Sequence, residues 1–203
     1  MKTFALVLLL AGATPALADN NLLQNGDFSS GIAEWEGDCH SPTSEDATPD
    51  LSANPLNTPT ATAAQGVLVK LRHEDWTKMY QDFDGKAGQY LLTISYSLSP
   101  DAKFSTSPQD YADIPGATGF SRFRSFSGTP GKWIVIVNDL GSMRFSYWEI
   151  AGQGQPGATQ TFTAQVKLNS DDEEKKSICL IFPPGDGQVT VKSVTLAPQV
   201  AAQ

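Results

Sequence analysis

The chemistry this chain offers lies in its aromatic rings and arginines. Arg72, His73 and Trp76 cluster at the end of one apolar stretch. Phe120, Arg122, Arg124 and Phe126 recur at every second position, so they share one side of an extended segment, and Phe123 takes the other. Trp133 follows a Gly-Thr-Pro-Gly turn, Tyr147 and Trp148 are consecutive, and Tyr111 sits in a stretch punctuated by Pro108 and Pro115. Flat rings suit the C–H faces of pyranose sugars, and arginine planes with rings are the usual anchors of binding faces. Arg72, Trp76, Tyr111, Arg124, Phe126, Trp133 and Trp148 are therefore the candidate ligand contacts. The same rings also read as core, and the 120–126 side reads equally as an edge strand with arginines reaching to water.

Catalysis finds less support. His40 and His73 are the two histidines, and neither stands in a nucleophile context. No Gly-x-Ser-x-Gly elbow, His-Glu-x-x-His helix or phosphate loop is present. Glycoside hydrolysis needs two carboxylates facing each other across a cleft, and no motif places such a pair. A lyase using His73 and a tyrosine as base and acid is the surviving enzymatic alternative.

The chain has 203 residues, enough for one domain with tails. Its 22 acidic against 14 basic residues leave a formal charge of −8, which disfavours nucleic acid and anionic membrane as partners. With 40% hydrophobic and 18% charged residues, disorder throughout is excluded. The 17 Gly and 13 Pro are scattered, which favours turns over long helices.

Residues 1–18 read as a signal peptide. Lys2 precedes an apolar run from Phe4 to Ala13, Pro15 breaks it, and Ala16-Leu17-Ala18 is a small-x-small cleavage pattern. The run is about half of the roughly 20 residues a spanning helix needs, so no membrane insertion is expected. Cleavage after Ala18 would release 19–203 as a secreted or periplasmic protein. In that oxidising setting Cys39 and Cys179 are expected to form a disulfide, worth about 4–5 kcal/mol in the chain-entropy model. Two separate buried thiols are the other reading.

The elements that must position the rings have a period of two. Tyr90, Leu92, Ile94, Tyr96 and Leu98 alternate with Gln89, Leu91, Thr93, Ser95 and Ser97, and Phe162, Ala164, Val166 and Leu168 alternate with polar neighbours. Val67–Leu71, Met79–Phe83, Trp133–Val137, Phe145–Ile150, Ser177–Phe182 and Val189–Leu196 complete the set. Short strands separated by turn signals predict an all-β, antiparallel β-sandwich. Residues 41–64 and 100–118 read as long loops within a single domain. Asn169 to Lys176 reads as a charged, solvated hairpin end.

The mature N-terminus, Asn20-Asn21-Leu22-Leu23-Gln24-Asn25-Gly26-Asp27-Phe28 followed by Gly31 and Trp35, resembles the opening of carbohydrate-binding modules of families 4, 9 and 22. Trp76, Gln81, Gly88 and Tyr90 resemble an internal stretch of the same modules, and Val189 to Leu196 resembles their closing strand. The resemblance implies a galactose-binding-like jelly roll and a non-catalytic module gripping a polysaccharide or oligosaccharide of β-glucan or xylan type. A protein-interaction or cell-surface module on the same fold, docking a protein partner, is the alternative. The motif residues mostly build the fold: Asn25-Gly26 is a turn dipeptide, and Phe28, Trp35 and Tyr90 read as core. The resemblance also implies a structural calcium, for which Asp27 is the candidate ligand. Lys192 and Ser193 stand where the family carries an acidic pair, which opposes a dication.

Overall fold

Alternation in the sequence becomes two packed layers. The computed structural model describes residues 20–40, 66–71, 76–104, 131–139, 141–142, 144–151, 155–171 and 176–199. The strands are β1 (Glu36–His40), β2 (Val67–Lys70), β3 (Trp76–Phe83), β4 (Gly88–Leu98), β5 (Lys103–Phe104), β6 (Lys132–Asp139), β7 (Arg144–Ala151), β8 (Gln160–Leu168), β9 (Lys176–Phe182), β10 (Gly185–Asp186) and β11 (Gln188–Pro198). One sheet has the order β1-β3-β9-β6-β7, the other β2-β11-β4-β8, and β10 and β5 form a small ladder. Every described ladder is antiparallel. The fold is an all-β sandwich of jelly-roll type.

Alternate residues of each strand meet in the space between the sheets. Leu92, Ile94, Val191, Val194 and Leu196 from the four-stranded sheet are buried there with Met79, Val135, Ile178, Leu180 and Phe182 from the five-stranded one. Parity breaks once, in β11, where the register jumps between Val191 and Ser193. Lys192 is the extra residue of that bulge, so Val189 and Val191 before it and Val194 and Leu196 after it all turn inward. Strands β6 and β9 depart from alternation. From Trp133 to Asp139 and from Lys176 to Phe182 every residue is buried, on both faces of the sheet.

The N-terminal segment clamps both sheets at one end. Val194 donates its N–H to the Gly26 carbonyl at 2.7 Å, and Leu196 donates to Asn21 Oδ1 at 2.8 Å. A Cβ on Gly26 would stand 2.2 Å from the Val194 carbonyl, so only glycine permits this approach. On the other sheet, Gln81 accepts from the Gln24 N–H at 2.9 Å and donates to the carbonyls of Gln24 and Glu34 at 2.9 and 2.8 Å. Phe28 and Trp35 plug the core with ring centroids 5.4 Å apart.

Two expectations are corrected here. The 169–176 segment does not close a hairpin, because β8 and β9 belong to different sheets. Its last residue, Lys176, is 1% exposed and pairs across the ladder with Asp139. The Cys39–Cys179 disulfide is also excluded. Cys39 stands opposite Thr77 and Cys179 opposite Tyr80, with β3 lying between their strands. Two strand spacings are about 9–10 Å, beyond the roughly 7 Å a bridge spans between Cα atoms. Cys179 is a buried thiol.

Residues 1–18, the 41–64 loop, most of the 100–118 loop, Arg72, Tyr111, Arg124 and Phe126 lie outside the described residues. Trp76 and Cys39 are placed by their backbone alone.

Candidate binding face

The five-stranded sheet has a second face, turned away from the sandwich core. Strand pairing assembles it in rows. One row crosses all five strands as Glu36, Tyr80, Cys179, Ile136 and Tyr147. The next continues through Lys78, Ile181, Ile134 and Glu149. Ile134, Ile136, Cys179 and Ile181 form a buried apolar strip with Tyr80 and Tyr147 packed against its two sides. β6 and β9 lack alternation because these outward residues are buried as well as the inward ones.

Polar groups rim the strip. The Tyr80 hydroxyl donates to Glu36 Oε2, and the Lys78 ammonium lies 5.7 Å from the Tyr80 ring centroid. At the opposite edge Tyr147 donates to Glu149 Oε1 at 2.7 Å, and Lys132 Nζ holds Glu149 Oε2 at 3.1 Å. That ion pair is partly exposed, so its value is fixing the carboxylate rather than stability. Each tyrosine is thus held at its hydroxyl by a carboxylate while its side chain packs against the strip. Asn138 and Ser177, both nearly buried, extend the face on the next row.

Chemically, the rim offers two oriented rings, two carboxylates and two ammonium groups. Groups of these kinds are able to stack on, and make charge-assisted hydrogen bonds to, hydroxyl-rich molecules. Glu36 and Glu149 lie on the outermost strands, four spacings or about 19 Å apart at ~4.8 Å per strand. Paired hydrolytic carboxylates stand about 5–9.5 Å apart, so these two are not such a pair.

The sequence-derived candidates fare unevenly. Trp133 is completely buried, stacked on Phe182 at 5.0 Å and edge-on to Tyr96 at 5.2 Å between the sheets. It is a core residue, and its assignment as a ligand contact is corrected. Trp148 also points to the inner side, packing against the core with Phe162 at 6.3 Å. Of the consecutive pair, Tyr147 is the ring on the outer face, which Trp148 was expected to supply. Trp76 occupies a register position opposite His40, at one end of the outer-face rows. Tyr80, Glu36, Lys132 and Glu149 were missed. The sequence signal for Tyr80 is the alternation of Lys78, Tyr80 and Asp82 with Thr77, Met79 and Gln81; Glu36, Lys132 and Glu149 join it only through strand pairing.

The residues around Asp27 do not fit a calcium ion. Asp27 is exposed, and its Oδ1 accepts the Ser29 N–H at 3.1 Å in a local turn. Asn21 Oδ1 is taken up by the N–H groups of Leu23 and Leu196, and Lys192 Nζ bonds Thr159 Oγ1 at 2.5 Å. Among the described residues no three His, Cys, Asp or Glu side chains gather into a metal-binding group.

No family model and no curated protein sequence matches the chain. Solved structures do. The enzymatically active domain of the bacteriophage CBA120 tailspike protein 4 superposes with a TM-score of 0.53 at 7% identity, over 88% of this chain and 21% of that one. The chain thus matches about a fifth of that protein's length, and the likeness is one of fold. TmCBM61 in complex with β-1,4-galactotriose matches at a TM-score of 0.48 and 14% identity, covering 88% of this chain and 99% of that one. The xylan-binding domain of a family 22 carbohydrate-binding module matches at 0.43 and 10% identity, covering 91% and 99%.

Proposed function

We propose that this chain is an exported, non-catalytic carbohydrate-binding protein that holds a poly- or oligosaccharide on the outer face of its five-stranded sheet. The observation that carries this reading is the row in which Tyr80 and Tyr147 flank an apolar strip, each hydroxyl fixed by a carboxylate. Because the strip itself is buried, ligand contact falls to the partly exposed rim: Tyr80, Tyr147, Lys78, Lys132 and Glu149. Export rests on the signal-like residues 1–18. Desolvating hydroxyls offsets much of the stacking gain, so affinities fall on the order of micromolar to millimolar, or roughly −4 to −8 kcal/mol.

Affinity electrophoresis through gels containing a panel of soluble polysaccharides tests the reading. The full chain is expected to be retarded by at least one, and Tyr80→Ala and Tyr147→Ala to abolish the retardation while remaining folded. Retardation that survives both substitutions would remove the site from this face. A folded protein that binds no sugar would favour a protein partner, and release of unsaturated, ultraviolet-absorbing ends from uronate polymers would favour a lyase.

A further inference from the structure

A cavity lies away from that face, between the two sheets where the edge strands β7 and β8 come together. Its volume is about 200 Å³. That is smaller than the roughly 300–1,000 Å³ of sites for drug-sized ligands, so it has room for a single ring rather than a chain. Val137, Val166 and Leu168, all core residues, form the apolar back.

The polar lining is mixed in a telling way. Arg144 and Lys167 border the cavity, Lys167 from the face of β8 opposite to Val166 and Leu168; both are exposed, and neither has an ion-pair partner among the described residues. On a chain of formal charge −8, two exposed cations without a close ion pair at one opening favour an anionic group there. Asp139 also lines the cavity, in ladder register with Arg144 on one side and the buried Lys176 on the other. Its Oδ2 accepts the N–H groups of Asn169 and Ser170 at 2.7 and 3.1 Å, whereas its buried Oδ1 accepts no hydrogen bond among the described residues. A buried acceptor left in this state calls for a donor. A bare anion could satisfy Arg144 and Lys167 but would meet the Asp139 carboxylate behind them. A ligand carrying both an anionic group and hydroxyl donors satisfies all three.

We propose that this cavity is a separate binding site for a single acidic sugar residue, a uronate. Its carboxylate pairs with Arg144 and Lys167 at the opening. A ring hydroxyl donates toward Asp139, and the apolar ring face lies on the valine and leucine wall. The choice of a sugar rests on the carbohydrate reading above; the position of the site and its charge do not.

Heteronuclear NMR titration of the full chain with D-glucuronate, D-glucose and acetate tests the proposal. Glucuronate is expected to shift amides of β7, β8 and Asn169, with a Kd at least tenfold below those of glucose and acetate. Arg144→Gln with Lys167→Gln, both exposed positions, should raise that Kd at least tenfold and leave retardation by neutral polysaccharides unchanged. Acetate or glucose binding as well as glucuronate would overturn the proposal, as would unchanged glucuronate binding in the double variant. In the parent chain, selective glucuronate binding without retardation by any polysaccharide would refute the outer-face site and leave this one standing.

Discussion

Replacing Gln81 by Ala isolates the clamp that fastens the N-terminal segment to the sandwich. Gln81 is 4% exposed and makes three hydrogen bonds to main-chain groups of the segment, at 2.9, 2.9 and 2.8 Å. Each is worth about 1 kcal/mol net, so their loss costs about 3 kcal/mol. The freed groups of Gln24 and Glu34 belong to exposed residues and can regain water, which holds the total to about 2–4 kcal/mol. For a domain of this size each kcal/mol moves Tm by about 2–4 °C, giving a drop of roughly 6–12 °C for the central estimate. Gln81→Glu sharpens the test. It preserves the acceptor for Gln24 N–H but loses the donor for two carbonyls and sets a negative charge against them, so it should be no better than Ala. Urea and thermal unfolding, each followed by circular dichroism, measure both variants. Gln81 faces the core side of β3, opposite in parity to Tyr80, so polysaccharide retardation of folded Gln81→Ala should match the parent. A loss under about 1 kcal/mol, or a Glu variant as stable as the parent, would refute the clamp.

Three further outcomes follow from packing and charge. Trp133→Ala should destabilise by about 3–5 kcal/mol in urea unfolding, as expected for a fully buried aromatic, with no selective effect on sugar affinity. Burial would raise the Asp139 pKa, but the Asn169 N–H, the Ser142 hydroxyl, the Ser170 N–H and the Lys176 charge outweigh it and hold the carboxyl below its ordinary value. Its contribution is therefore complete above the unfolded-state pKa of about 3.9 and is lost as pH falls through the lower folded value. Unfolding midpoints measured from pH 6 down to 2 should fall along that limb, less steeply in Asp139→Asn. Dithiothreitol should leave Tm unchanged, because β3 separates Cys39 from Cys179; a drop of several degrees would reinstate the bridge.

How far the sequence speaks depends on whether a property belongs to one strand or to a pairing. Tyr90 to Leu98 announces β4 because its apolar side is written into every second residue, and the structure buries those five. Gly26 is legible as a turn, and its close approach to Val194 is the reason no other residue serves. The outer face is not legible in this way. Tyr147 and Trp148 are indistinguishable until β7 is paired with β6, which sets Tyr147 beside Ile136 on one face and turns Trp148 to the other. Trp133 looks like a ligand ring in isolation, and only Phe182 and Tyr96 from distant segments make it core. The cysteines fail for the same reason: nothing local reveals that β3 is inserted between β1 and β9.

The two strands buried on both sides carry a cost that falls before folding is complete. Trp133-Ile-Val-Ile-Val137 and Ile178-Cys-Leu-Ile-Phe182 are uncharged, free of proline and made of strong strand formers, the composition that stacks into cross-β aggregates when exposed. Neither is ever presented to water in the finished sandwich, but both must be while the chain awaits its partners, since β9 pairs with β3 nearly a hundred residues upstream. Lys132 and Asp139 bracket the first run and Lys176 precedes the second, with charges that interrupt intermolecular stacking. The buried Lys176, costly to a finished core, thereby acts as a gatekeeper during the chain's most vulnerable interval. Refolding yield should then depend on protein concentration far more steeply than the native state's solubility does.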